Sequence, residues 1–112
     1  ALGRYPTPID LPALLATYLE GRSVEVIALC GAGPLRSDGS LVLSNHLCVL
    51  DPGAIRNATG ARQVLIVNDF EAIAHAVPAF QATELRTLQP AIGIATAARL
   101  VIGPGTGLVS PA

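Results

Sequence analysis

The chain has 112 residues, enough for one domain with a modest core, and 51% of them are hydrophobic while 13% are charged, against roughly 25% charged in an average soluble domain. Its net charge of −1 and seven scattered arginines form no basic stripe suited to a nucleic-acid backbone, and the absence of lysine excludes a Walker-type phosphate loop and a Schiff base. Apolar runs such as Val64 to Val67 and Leu100 to Ile102 fall far short of the ~20 residues of a membrane span, and no basic, then apolar, secretory signal opens the chain, so a cytoplasmic location without membrane contact is expected.

Asp10 precedes "LPALLATYLEG", in which Pro12 suits a first helical turn and Gly21 a stop. The pattern predicts a helix over 11–20 with Leu14, Leu15, Tyr18 and Leu19 on its buried face. "VEVIALCGAG" reads as a strand closed by a glycine turn, and "SDGSLVLSN" as a hairpin return into a second strand paired antiparallel with the first. Cys30 and Cys48 lie in apolar runs at no metal-ligand spacing, as small buried thiols do.

Asp51 and Pro52 start a short helix that Gly60 ends, and Val64 to Val67 is continuous enough for a strand buried on both faces. Phe70, Ile73, Ala74 and Val77 have the spacing of a helix packed on that strand, with Pro78 as its stop. In "QATELRTLQPAIGIATAA", residues 81–98, Pro90 and Gly93 break any long element, which leaves a short helix and a loop. "ARLVIGPGTGLVS" reads as strand, glycine turn, strand. The succession predicts a single α/β domain over 1–112, with a mixed sheet, flanking helices and no internal repeat.

Two stretches carry candidate chemistry. "GPGTG", Gly103 to Gly107, sets three glycines on alternate positions, so that backbone N–H groups and the Thr106 hydroxyl could converge on an anion; a plain hairpin turn explains the same residues. Neither this stretch nor "GAGPLR" is a dinucleotide fingerprint, because the third glycine would fall at Leu108 in one and Arg36 in the other. In "VLIVNDFEAIAHAVP", Asn68 followed by Glu71 fits a capping box, whereas Asp69, just past a strand's carboxyl end, is placed to accept a proton from a substrate hydroxyl that Asn68 orients. The two jobs use different side chains and are compatible. His75 reads as a solvated helical residue, and neither it nor His46 has partners at metal spacing.

Taken in order, "VIALCGAGP", "LVLSNH", "VLIVNDFEAIAHAVP" and "VIGPGTGLV" resemble the bacterial glucokinase family of sugar kinases, within the actin-like, ribonuclease H-like ATPase superfamily. The resemblance implies a partial actin-like ATPase domain, part of the amino-terminal half of a kinase whose intact form transfers the ATP γ-phosphate, with Mg²⁺ carried by the nucleotide, to a hydroxyl of glucose or a related hexose. It implies that Asp69 is the general base and, with Asn68, contacts the sugar, that Ser44 and Asn45 close over the sugar side, and that Gly105, Thr106 and Gly107 form a phosphate turn. Val109 stands where the family commonly has a further glycine, and neither the Asp-x-Gly-Gly-Thr hairpin nor the Glu-Gly-Gly-His motif of the family occurs in these residues. A piece of this kind is expected to be inactive alone and to self-associate through an exposed sheet edge. A non-catalytic sugar-binding or regulatory relative and a structural α/β module are the alternative readings.

Overall fold

The computed structural model of the chain describes residues 3–104, 108 and 109. The chain divides into two compact units, Ala1–Asp69 and Phe70–Ala112. In the first, helix α1 spans Leu11–Leu19, with the Asp10 carboxylate accepting the Ala13 N–H at 3.1 Å and Pro12 in the first turn. It ends one residue earlier than the sequence predicts, because Glu20 already takes the left-handed conformation (φ 50°) ahead of Gly21. The Arg22 guanidinium donates to the carbonyls of Leu19 (2.9 Å) and Tyr18 (2.8 Å), closing orphan acceptors at the helix's negative end.

Strand β1 spans Val26–Gly31, and its partner comes from later in the chain. After β1 the backbone turns tightly enough for Leu35 to bridge Leu41, and strand β2 (Leu41–Val42) pairs antiparallel with β3 (Val49–Leu50) rather than with β1. Helix α2, Pro52–Thr59, follows, with Asp51 accepting from the N–H groups of Gly53 (2.9 Å) and Ala54 (3.2 Å) and Gly60 at φ 71° as its stop. Strand β4, Gln63–Asn68, then pairs in parallel with β1, from Val26 opposite Gln63 to Gly31 opposite Asn68. The expected β1–β2 hairpin is therefore wrong, and the pairings form separate two-stranded sheets instead of one mixed sheet. A parallel partner requires a long crossover, so it cannot be read from adjacent residues.

The core consists of Leu41, Leu50, Ile55, Ala61, Val64 and Ile66, with Leu11, Leu15, Val24, Ile27, Leu29 and Leu43 packed against it. Strand β4 is not buried on both faces: Val64 and Ile66 point into this core, while Leu65 is 47% exposed. The continuous apolar run hides an alternation that only the packing reveals. On α1, Leu14, Tyr18 and Leu19 are half-buried and Leu15 reaches the core as expected. Cys48 is buried, and burial pushes its thiol pKa up, but Cys30 is exposed, contrary to the expectation for both cysteines.

Two glycines set the tightest packing of this unit. A Cβ on Gly31 would come within 2.6 Å of Leu43 Cδ2 and 3.0 Å of Leu50 Cδ1. At Gly33 a Cβ would collide with the carbonyl oxygen of Val42 and stand 2.9 Å from its carbonyl carbon. Asp38 shapes the intervening loop: its carboxylate accepts from the Ser40 hydroxyl at 2.7 Å and the Ser40 N–H at 2.9 Å, with Gly39 at φ 84°. The hydroxyl bond foremost, then the N–H bond, holds the Asp38 pKa below its ordinary value. The depressed pKa means that this contribution to stability is present above the usual carboxylate range and lost as acidification passes through the lowered value.

In the second unit, helix α3 (Asp69–Ala76) continues from Asp69, the last residue of the first unit, and runs into a 3₁₀ turn, Val77–Ala79. Phe70 and Val77 are half-buried, whereas Ile73 and Ala74 of the predicted apolar face are exposed. The short helix expected within 81–98 is a single 3₁₀ turn, Ala82–Glu84. Strands β5 (Gly103–Pro104) and β6 (Leu108–Val109) pair antiparallel, as the glycine-turn pattern predicts, although the first strand is shorter than "ARLVI" suggests. The Phe70 ring lies so close to Gly103 that a Cβ there would collide with it.

Gly33→Ala should destabilise the chain by about 1–3 kcal/mol in urea unfolding, because the backbone it meets cannot yield as a flexible side chain would. Gly93→Ala, with nothing within 4 Å, should stay within about 0.5 kcal/mol of wild type. Under native conditions an aromatic disulfide reagent should label Cys30 rapidly and Cys48 only on unfolding, with the fast phase absent in Cys30→Ser.

Candidate functional site at the carboxyl ends of the parallel strands

The parallel pair ends with Gly31 beside Asn68, and the candidate residues collect just beyond that point. In α/β architecture the carboxyl ends of parallel strands are where ligands bind, since the loops there are free of sheet pairing. The loop leaving β1 presents two consecutive carbonyls, and each holds a different piece of the site. The Ala32 carbonyl accepts the Ser44 backbone N–H at 2.9 Å, and the Gly33 carbonyl accepts from Asn68 Nδ2 at 3.2 Å. Ser44, from the β2–β3 turn, and Asn68, from the end of β4, are thus gathered by one short backbone segment although they are far apart in sequence.

The local sequence explains why this segment can serve both. Gly33 approaches the Val42 backbone more closely than any residue with a Cβ could. That approach brings β2, and with it Ser44 and Asn45, up against the loop after β1. Ser44 and Asn45 are exposed in the turn, and Asn68 is half-buried. Asp69 follows Asn68 directly as the first residue of α3 and is also half-buried. The Asn68 amide nitrogen is engaged by Gly33, so any cap it gives α3 comes from its oxygen, and orientation and capping use different atoms.

Gly105, Thr106 and Gly107 lie outside the described residues. His75 is 75% exposed in its side chain and faces Glu71 across 3.8 Å, in keeping with a solvated helical residue. Among the described residues, no group of three or more His, Cys, Asp or Glu side chains is arranged to hold a metal ion. The sequence reading missed Gly33 as the acceptor for Asn68. The available signal was the pair Gly31 and Gly33 on alternate positions at a strand end, which leaves one face without side chains and invites close backbone approach.

These features define an α/β protein with polar groups gathered at the ends of parallel strands. Comparison with known proteins gives the family. The glucokinase family model matches residues 7–110. The chain is 36% identical to a glucokinase-like protein of Xylella fastidiosa strain 9a5c over 105 residues, 93% of this chain and 30% of that protein. It is 36% identical to a glucokinase of Pseudomonas paraeruginosa over 110 residues, covering 96% and 32% of the two chains, and 40% identical to a glucokinase of Rhizobium etli strain CFN 42 over 80 residues, covering 71% and 23%. No solved structure matches the chain significantly. The chain belongs to the glucokinase family. It spans about a third or less of the length of these relatives.

The hydrogen bond to Gly33 gives Asn68 a role that its neighbours cannot fill. Asn68→Ala should cost about 0.5–1.5 kcal/mol in denaturant unfolding, and Asn68→Asp more, about 1–3 kcal/mol, because it sets a carboxylate against a carbonyl oxygen. Equal stability of the aspartate variant and wild type would contradict the bond.

Proposed function

We propose that this chain is the part of a sugar kinase that receives the hexose, and that the intact protein transfers the γ-phosphate of ATP to a glucose hydroxyl with Asp69 as the general base. The observation that carries the reading is the gathering of Ser44 and Asn68 on the consecutive carbonyls of Ala32 and Gly33, with Asp69 next in the chain. Phosphoryl transfer asks mainly that the reacting groups be positioned and the hydroxyl proton removed. In this reading Asn68, held by Gly33, orients the hydroxyl; Asp69 accepts its proton; Ser44 and Asn45 contact the sugar from the facing turn.

Gly105, Thr106 and Gly107 take the role of the nucleotide-phosphate turn, a reading supported by the antiparallel pairing of Gly103 with Val109 and of Pro104 with Leu108 on either side. Mg²⁺ would come with the nucleotide, whose phosphate charge it would neutralise. We read residues 1–112 as one incomplete domain, part of the amino-terminal half of an actin-like, ribonuclease H-like ATPase fold; the parallel β1–β4 pair supports the α/β character of its first unit. No described helix is long and apolar enough to cross a membrane, and we assign the protein to the cytoplasm, with no nucleic-acid partner. The outward face of the β1–β4 pair, where Val26 is 48% and Leu65 47% exposed, supports self-association of the isolated chain.

In the full-length protein, Asp69→Asn should lower turnover by ~10²–10⁴-fold with a small change in glucose affinity, since it keeps size and hydrogen bonding but removes the proton acceptor. Asn68→Ala should chiefly weaken sugar binding. A coupled assay of ADP release measures both. Turnover of Asp69→Asn within a few-fold of wild type, together with a lowered melting temperature, would make the carboxylate a structural cap and refute the proposal.

A further inference from the structure

We propose that His46 is a positioning residue for the sugar-side turn: its ring fixes the conformation of Ser44 and Asn45 and thereby sets hexose affinity. This rests on the reading of those two residues as sugar contacts. The turn between β2 and β3 is closed by the Leu43 N–H donating to the Cys48 carbonyl at 3.2 Å. Within that loop, His46 Nδ1 accepts the backbone N–H of Cys48 at 3.0 Å, while the Ser44 N–H is held by Ala32 at 2.9 Å. Asn45 therefore lies between two anchored neighbours, one fastened to the loop after β1 and the other to the start of β3.

The anchor on the β3 side is firm because Cys48 is 1% exposed and belongs to the packed interior. Its N–H is a donor that a buried backbone position must satisfy, and the imidazole supplies the acceptor. In this bond Nδ1 is the acceptor, through its ring lone pair. The geometry, a side-chain acceptor reaching the N–H two residues on, is that of an Asx-turn. An asparagine places its Oδ1 at nearly the same point as the histidine Nδ1. Asparagine should therefore replace His46, whereas alanine, which has no acceptor, should not. A histidine that merely covered surface would show no such preference.

The test compares His46→Ala and His46→Asn in the full-length protein by glucose kinetics, and in this chain by NMR of the His46 ring and exchange of the Cys48 amide. His46→Ala should raise KM for glucose about tenfold with kcat changed less than about threefold, and His46→Asn should return KM to within about threefold of wild type. The ring should be the neutral Nε2–H tautomer, and Cys48 amide protection should fall in the alanine variant and persist in the asparagine variant. An unchanged KM in His46→Ala, in an enzyme that loses turnover with Asp69→Asn, would overturn the inference while leaving the proposed function standing. Equal impairment of the two variants would also overturn it. A full-length protein that phosphorylates no sugar would refute both the proposed function and the claim on hexose affinity. Equal Cys48 protection in the two variants would refute the clamp itself.

Discussion

The arrangement of this chain depends on a close approach of two backbone segments: Gly33 passes so near the carbonyl of Val42 that no side chain fits between them. A residue with a Cβ would push the loop after β1 away from β2, and both carbonyls of that loop would lose their register with their donors. With glycine, the Ala32 carbonyl meets the Ser44 N–H and the Gly33 carbonyl meets the Asn68 amide. Backbone carbonyls are fixed in direction by the peptide plane, so they orient their donors more rigidly than flexible side chains could.

That rigidity joins the packing to the chemistry. Gly31 and Asn68 close the parallel pair, and the inward alternation of half-buried Ile27 and Leu29 with buried Val64 and Ile66 holds the strands in register behind them. A slip of one residue along β4 would turn the core-facing set outward and carry Asn68 off the Gly33 carbonyl. The apolar core and the polar cluster are therefore two consequences of one register. In the function proposed above, the same register would place the groups that orient a sugar hydroxyl beside the one that accepts its proton.

Much of the local structure was legible in the sequence because its signals are local. Asp10 with Pro12 announced α1, Asp51 with Pro52 and Gly60 bounded α2, and the apolar run before Asn68 gave β4 and the start of α3. The pairing of β1 was not legible, because its partner follows an intervening hairpin and helix, and the nearest strand in sequence took another partner. The continuous run Val64 to Val67 suggested burial on both faces, yet Leu65 points outward, a distinction that composition cannot make. At the candidate site, Asn68 and Asp69 were singled out by their place where an apolar strand runs into a helix, and Ser44 and Asn45 by the resemblance in motif order. The Gly33 carbonyl as acceptor for Asn68 and the His46 ring as acceptor for Cys48 were not anticipated, since neither contact leaves a spacing signature of its own.

Amide hydrogen exchange at Ser44 tests the central claim most directly. Ser44 is exposed in a turn, where an unbonded N–H would exchange at close to the free-chain rate, but the Ala32 carbonyl should give it protection comparable to the amides of β4. Protection of Ser44 that matches β4 and collapses in Gly33→Ala is the predicted result. Rapid exchange at Ser44 while β4 remains protected would show that the β2–β3 turn is not held against the loop after β1, and would contradict the account.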